Sequence, residues 1–564
     1  MTHDMIIRGG SVVDGTGSDP VTADVAVDDG RISRIGDLSQ ADAATELDAT
    51  AKIVTPGFVD IHTHLDAQVG WDPELRSSSY HGVTTALIGN CGVTFAPVSA
   101  ENRRYLAELM EAVEDIAADA IMDGLPWTWT GYGEYLDAVQ GLGPALNIVG
   151  LAGHSAIRFE VMGDRALDVD AQATDAELGA IAELVRQSVE EGAVGFSTSR
   201  FLGHRVPDGR CTPGTHADLR ETEAIQRAVV DAGGAGGLFQ AAPDFSKRFP
   251  TELAMFEKGA ELGCQVLFSG GARAKGDGDV SFWEEFLGRN NDAGHRITTI
   301  SHTRPSGSLF GLAQVCPFDT PAWNELMALP TIDARVERLR DPQARATLVA
   351  EAKQAGFKWN AAPLLHPLGI GELPDYDLDR KGSLVQLAEA AGQDPVDVFV
   401  ERMLASDGRE LLNMWMFSGF LENQWPYLKM EHCVPMLGDA GAHVGQLIDA
   451  DSTTFLLSEL TRDRGVFELG DAVHQITAKP ARVLGLRERG EIREGWHADL
   501  NVIDYEKLAT CHPEYVNDFP HGGGRFIVRS RGYDATIIGG QVVVADGEHT
   551  GSRPGEVIRE FVRG

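Results

Sequence analysis

Between Pro56 and about residue 480, short apolar runs of buried-strand type alternate with longer stretches of helical periodicity. The strand-type runs include Thr84-Thr-Ala-Leu-Ile, Leu146-Asn-Ile-Val-Gly-Leu, Val194-Gly-Phe-Ser, Gly237-Leu-Phe, Gln265-Val-Leu-Phe, Ile297-Thr-Thr-Ile and Val434-Pro-Met-Leu. Helical patterns cover 101–119, 174–190, 218–232, 251–262, 281–293 and 384–404. Strands that alternate with helices form parallel sheets. About eight such units over ~400 residues suit a closed (β/α)8 barrel of the TIM type.

The two ends of the chain read differently. Residues 5–54 and 498–544 carry short alternating strands broken by Gly and Asp turn signals, such as Asp28-Asp29-Gly30 and Gly539-Gly540. Pairing the two ends is the economical way to bury their apolar faces. The expected fold class is therefore α/β, a (β/α)8 barrel over 56–483 with a small β-sandwich from 1–55 plus 484–564. Segments near 99–140 and 305–357 read as insertions placed to cover a barrel mouth.

Charge narrows the partners. The 564 residues hold 48 Lys+Arg and 84 Asp+Glu, a formal net charge of −36, which disfavours nucleic acid and anionic membrane surfaces. The six cysteines show no CxxC pairing and read as reduced thiols of an intracellular protein. No apolar run approaches the ~18 residues of a membrane span, and the N-terminus has no signal-peptide pattern. The expectation is a soluble, cytoplasmic protein acting on a small molecule, with self-association left open.

Three strand ends carry chemistry. In Pro56-Gly-Phe-Val-Asp-Ile-His62-Thr-His64-Leu-Asp66, two histidines one residue apart on a strand share a face. At the carboxyl end of a barrel strand both imidazoles reach the mouth, where a divalent metal takes two neutral nitrogen ligands. Ile88-Gly-Asn-Cys91-Gly follows an apolar run, and its thiol reads equally as a metal ligand or a buried small hydrophobe. Met436-Leu-Gly-Asp439-Ala-Gly-Ala-His443 ends a late strand on a carboxylate that can ligate an ion, accept a proton from water or cap the next helix. His443 reads as a substrate-orienting or structural side chain.

These segments, with the opening IIRGGSVVDGTG, Gly153-His154-Ser-Ala-Ile-Arg158, Gly195-Phe-Ser-Thr and the closing GEIREGWHADLNVID, resemble the amidohydrolase superfamily nearly end to end. GNCG and GHSAIR make the chain most similar to its N-acyl-D-amino-acid deacylase (D-aminoacylase) branch. The resemblance implies a (β/α)8 barrel on a β-sandwich, zinc, and hydrolysis of an amide-type C–N bond. It implies His62 and His64 as metal ligands, Cys91 as the thiolate that replaces a carboxylated lysine of other branches, and Asp439 as ligand and general base.

The family completes its metal site with histidines on the fifth and sixth strands. Here those strands read Gly237-Leu-Phe-Gln240 and Leu267-Phe-Ser269-Gly-Gly-Ala-Arg273, and no histidine lies between His216 and His295. One zinc ion is therefore favoured over two, with Gln240 and Arg273 facing a polar or anionic substrate group. His302 and Arg304 end the next strand, and His154, Arg158, His302 and Arg304 join Gln240 and Arg273 as candidate substrate contacts. The leading function is a metal-dependent hydrolase of a small amide, an N-acyl amino acid among the candidates. The alternatives are a lyase or decarboxylase on the same barrel and a non-catalytic scaffold.

Overall fold

The computed structural model describes residues 2–563 apart from 274, 277, 381, 418–420 and 447–448. Eight parallel strands lie in sequence order: Phe58–Asp60, Val83–Ile88, Asn147–Gly153, Gly195–Ser199, Leu238–Ala242, Gln265–Ser269, Arg296–Ile300 and Cys433–Val434. A parallel bridge between Thr63 and Ala440, with the His64 N–H donating to Ala440 O at 2.8 Å, joins the first strand's end to the last strand's. That contact closes the sheet into a barrel. Its inner strands are buried throughout, as expected of a parallel sheet covered by helices on the outside.

The outer helices start where the sequence supplies caps. Thr174 accepts the Glu177 N–H while Glu177 reaches back to the Thr174 N–H, opening Asp175–Glu190 with a reciprocal cap. Asp218 and Asp279 cap Leu219–Gly233 and Val280–Asp292. The expected helix 101–119 is two helices, Arg103–Glu114 and Ala118–Gly124. The break falls at Asp115, whose φ of 60° ends the first helix.

Both chain ends meet in one nine-stranded sheet. Ile53–Pro56 from the N-terminal segment pairs antiparallel with Leu500–Ile503 from the C-terminal segment. The long strand Thr2–Val12 gives its first half to Asp42–Asp48 and its last two residues to Ile53–Pro56. Ile7, Val25, Ile32, Val54, Leu500 and Ile537 fill the core between these layers.

The insertion between the seventh and eighth barrel strands is longer than the 305–357 expected. Leu309–Phe310, Leu365–Pro367 and Leu412–Met414 make a separate three-stranded sheet. Phe318, Trp323, Leu339, Phe399 and Met403 pack against it in a second core. The 384–404 stretch, read as a barrel helix, belongs to this unit as Leu384–Ala391 and Pro395–Ala405. Helical periodicity says that a face is buried but not against which core. Among the described residues, no helix is long and apolar enough to cross a membrane.

Candidate metal centre at the barrel mouth

The His-x-His pair leaves the first strand directly, with the Asp60 carboxylate accepting the His62 N–H at 3.0 Å. Asn90 holds the next ligand loop against it, its amide donating to Thr63 O at 3.1 Å and Leu87 O at 2.9 Å. Asp66 accepts the Gly89 N–H at 3.0 Å. Gly89 has a φ of 80°, and a Cβ there would lie 2.4 Å from Leu151 O. Only glycine lets the Cys91 loop pass so close to the third strand.

The side chains converge. His62, His64 and Cys91 bring ligand atoms within 4.8 Å of one another, and all three are buried. Cys91 Sγ lies 3.4 Å from His62 Nε2. Asp439 Oδ1 lies 3.0 Å from His62 Nε2 and 3.6 Å from His64 Nε2. Burial by itself lowers the His62 imidazole, but the Cys91 and Asp439 charges overcome this and raise it to about 9. Burial likewise raises Asp439 and Cys91, and the facing histidines turn both shifts downward. A carboxylate, a thiol whose ionisation the histidines favour, and two imidazoles converge here as a donor set for a cation. The N, S and O donors together suit zinc.

Gln240 is fully buried, and its Oε1 accepts the Cys91 N–H at 3.2 Å. Among the described residues its Nε2 has no hydrogen-bond partner, nor does Ser269 Oγ or His302 Nδ1. His302 is 7% exposed and stacks on Phe417, with burial lowering its pKa. Gln240 and Ser269 lie on the fifth and sixth strands, where the extra histidines were expected, and His302 follows the seventh.

Other expected contacts have their polar atoms engaged by partners within the protein. His154 and Arg158 are buried, both bonded to Glu221, at 2.8 and 2.9 Å; His154 also contacts Thr198, and Arg158 donates to Ala166 O and Ala171 O. Their polar atoms tie the third and fourth barrel units together and are taken up by these partners. Arg304 has its fork filled by Asp449 and Asp451, each at 2.7 Å, and lies over the Tyr376 ring. Arg273 is exposed, donating to Phe245 O and lying over the Phe249 ring. The structure adds Glu114, whose Oε1 is 3.1 Å from His64 Nδ1, and His204, held by Ser199 at 2.8 Å and lowered to about 4 by burial. A carboxylate on the apolar face shared by Ala107, Met110 and Val113 is the sequence signal that would have singled out Glu114.

A closed parallel barrel whose carboxyl end gathers two imidazoles, a thiol and a carboxylate defines a hydrolase barrel of the metal-dependent kind. The chain belongs to the amidohydrolase family, whose sequence profile matches residues 45–357 and 433–544, and is a hydrolase of C–N bonds other than peptide bonds. An uncharacterized protein of Mycobacterium tuberculosis is 30% identical over 98% of this chain and 93% of its own length. The N-acyl-D-glutamate deacylase of Alcaligenes xylosoxydans xylosoxydans is 27% identical, covering 99% and 96%, and the N-acyl-D-aspartate deacylase of that organism is 26% identical, covering 98% and 95%. The same fold is seen in the N-acyl-D-glutamate deacylase of Bordetella bronchiseptica complexed with zinc and a phosphonate inhibitor, at a TM-score of 0.66, 23% identity and 99% and 100% coverage.

Proposed function

We propose that the chain hydrolyses the amide bond of an N-acyl amino acid with one zinc ion held by His62, His64, Cys91 and Asp439. The convergence of both Nε2 atoms with Cys91 Sγ and Asp439 Oδ1 supports this reading. A zinc ion bound there supplies a Lewis acid that polarises the scissile carbonyl and makes water more acidic. The protein supplies the rest. Asp439 is the carboxylate placed to take a proton from the attacking water and return it to the leaving nitrogen. Gln240, oriented by the Cys91 N–H, offers its Nε2 to an acceptor oxygen of the substrate, and the buried His302, with Asp449 3.9 Å from its Nδ1, offers that nitrogen as a second polar contact.

One ion is assigned because the fifth and sixth barrel strands, where the resemblance leads one to expect further histidines, carry Gln240 and the Ser269–Arg273 stretch, which lack the usual zinc donors. The N-acyl-D-amino-acid deacylases among the relatives support an N-acyl amino acid as substrate. The test is metal analysis of protein purified without added metal, with amine release measured on a panel of N-acyl-D- and N-acyl-L-amino acids. About one equivalent of zinc and chelator-sensitive release are expected. Full activity in a metal-free preparation overturns the reading.

A further inference from the structure

We infer that Glu114 is the positioning residue that fixes the His64 ring for metal binding, an assignment that rests on the one-zinc reading above. Glu114 is the last residue of Arg103–Glu114, in the insertion after the second barrel strand, and is 1% exposed. Its Oε1 stands 3.1 Å from His64 Nδ1, within ion-pair reach but outside hydrogen-bond geometry, so that a small turn of the ring would bring the two into a bond, while His64 Nε2 faces Asp439 and the thiol on the other side of the ring. Among the described residues its Oε2 makes no hydrogen bond, and it lies 4.0 Å from His443 Nε2. Among the described residues, the ionisable side chains facing this carboxylate are histidines, namely His64, a ligand candidate, with His443 and the buried His204.

A carboxylate so enclosed carries a large desolvation cost unless positive charge develops beside it. An ion on the far nitrogen of the same ring provides that charge. Glu114 then holds the Nδ1 proton, fixes the tautomer that leaves Nε2 as the donor, and makes the ring a stronger ligand. The same helix end also grips the loop after Asp439. Val444 N donates to Glu114 O at 3.1 Å, and Gly445 leaves no room for a Cβ beside Asp115, whose Oδ2 would lie 2.3 Å away. One helix terminus therefore sets both the His64 ring and the approach of the Asp439 loop.

The test compares zinc affinity, by competition with a chromogenic chelator, in the full-length wild type, Glu114→Gln and Glu114→Asp. Thermal unfolding of the zinc-free forms and the visible spectrum of the cobalt-loaded forms are measured alongside. Glu114→Gln keeps the volume and removes the charge, so zinc should bind 10- to 100-fold more weakly, with unchanged zinc-free unfolding and a shifted cobalt spectrum. Glu114→Asp withdraws the carboxylate by one carbon and should weaken zinc by at least about threefold on the same ground. Wild-type affinity in Glu114→Gln, or in Glu114→Asp should the first variant not fold, overturns the assignment alone. A wild type without zinc affinity overturns the metal reading together with it.

Discussion

Asp439 and Cys91 both hold left-handed backbone conformations, with φ of 44° and 54°. Such positions in residues other than glycine cost free energy and gather at functional sites. At Asp439 the turn keeps the carboxylate over the two imidazoles, so Asp439→Asn should lower kcat by about 10²–10⁴ with unchanged circular dichroism, as steady-state kinetics would register. At Gln240 the oxygen already serves the Cys91 N–H. Gln240→His removes that acceptor and supplies only one of two absent ligands, so metal content should stay near one equivalent and kcat should not rise. His62, His64, Cys91 and Asp439 could be picked out because each follows closely on an apolar run that forms a barrel strand, but Cys91 and Asp439 take their direction from left-handed turns beyond the strand ends, which no strand period foretells. Arg158 and Arg304 were read as substrate forks because their partners, Glu221 and the Asp449–Asp451 pair, lie far away in sequence. No local pattern marks a buried arginine as already paired.

The strand–helix alternation gave the barrel units because each element repeats a local period. The unit between the seventh and eighth strands was undercounted for the same reason, since its helices have the periodicity of barrel helices while packing on Phe318, Trp323 and Phe399. At the opposite end of the barrel, Lys479 in Ala478–Leu484 donates to Cys433 O at the start of the eighth strand and to Gln475. Burial lowers this lysine to about 8. Below pH 8 the ammonium is charged in both folded and unfolded chains, and the folded state bears its desolvation. From pH 8 to the ordinary lysine value near 10.5, the unfolded chain keeps the proton that the folded one has lost, so stability rises with pH. Chemical denaturation across that window should show the wild type gaining on the order of 2 kcal/mol relative to Lys479→Met.

At the scale of the molecule, neither chain end completes the β-domain alone. Ile53–Pro56 is sandwiched between Thr2–Val12 and Leu500–Ile503. Removing residues 1–52 would strip Ile7, Val25 and Ile32 from the shared core and leave strand edges open to other chains. Such a truncation should accumulate as insoluble protein, measurable as the soluble fraction after expression against full length. The pairing itself was legible, because two strand-rich ends with no other partner leave few alternatives. The bridge from Thr63 to Ala440 carries a different consequence. His62 and His64 emerge early in synthesis and Asp439 only when the last barrel strand has been made, so a nascent chain displays half a site for most of its life on the ribosome. On the proposed one-zinc reading, the ligand set is assembled by the contact that shuts the barrel, and metal loading would mark a finished barrel, distinguishing completed molecules from those abandoned part-way.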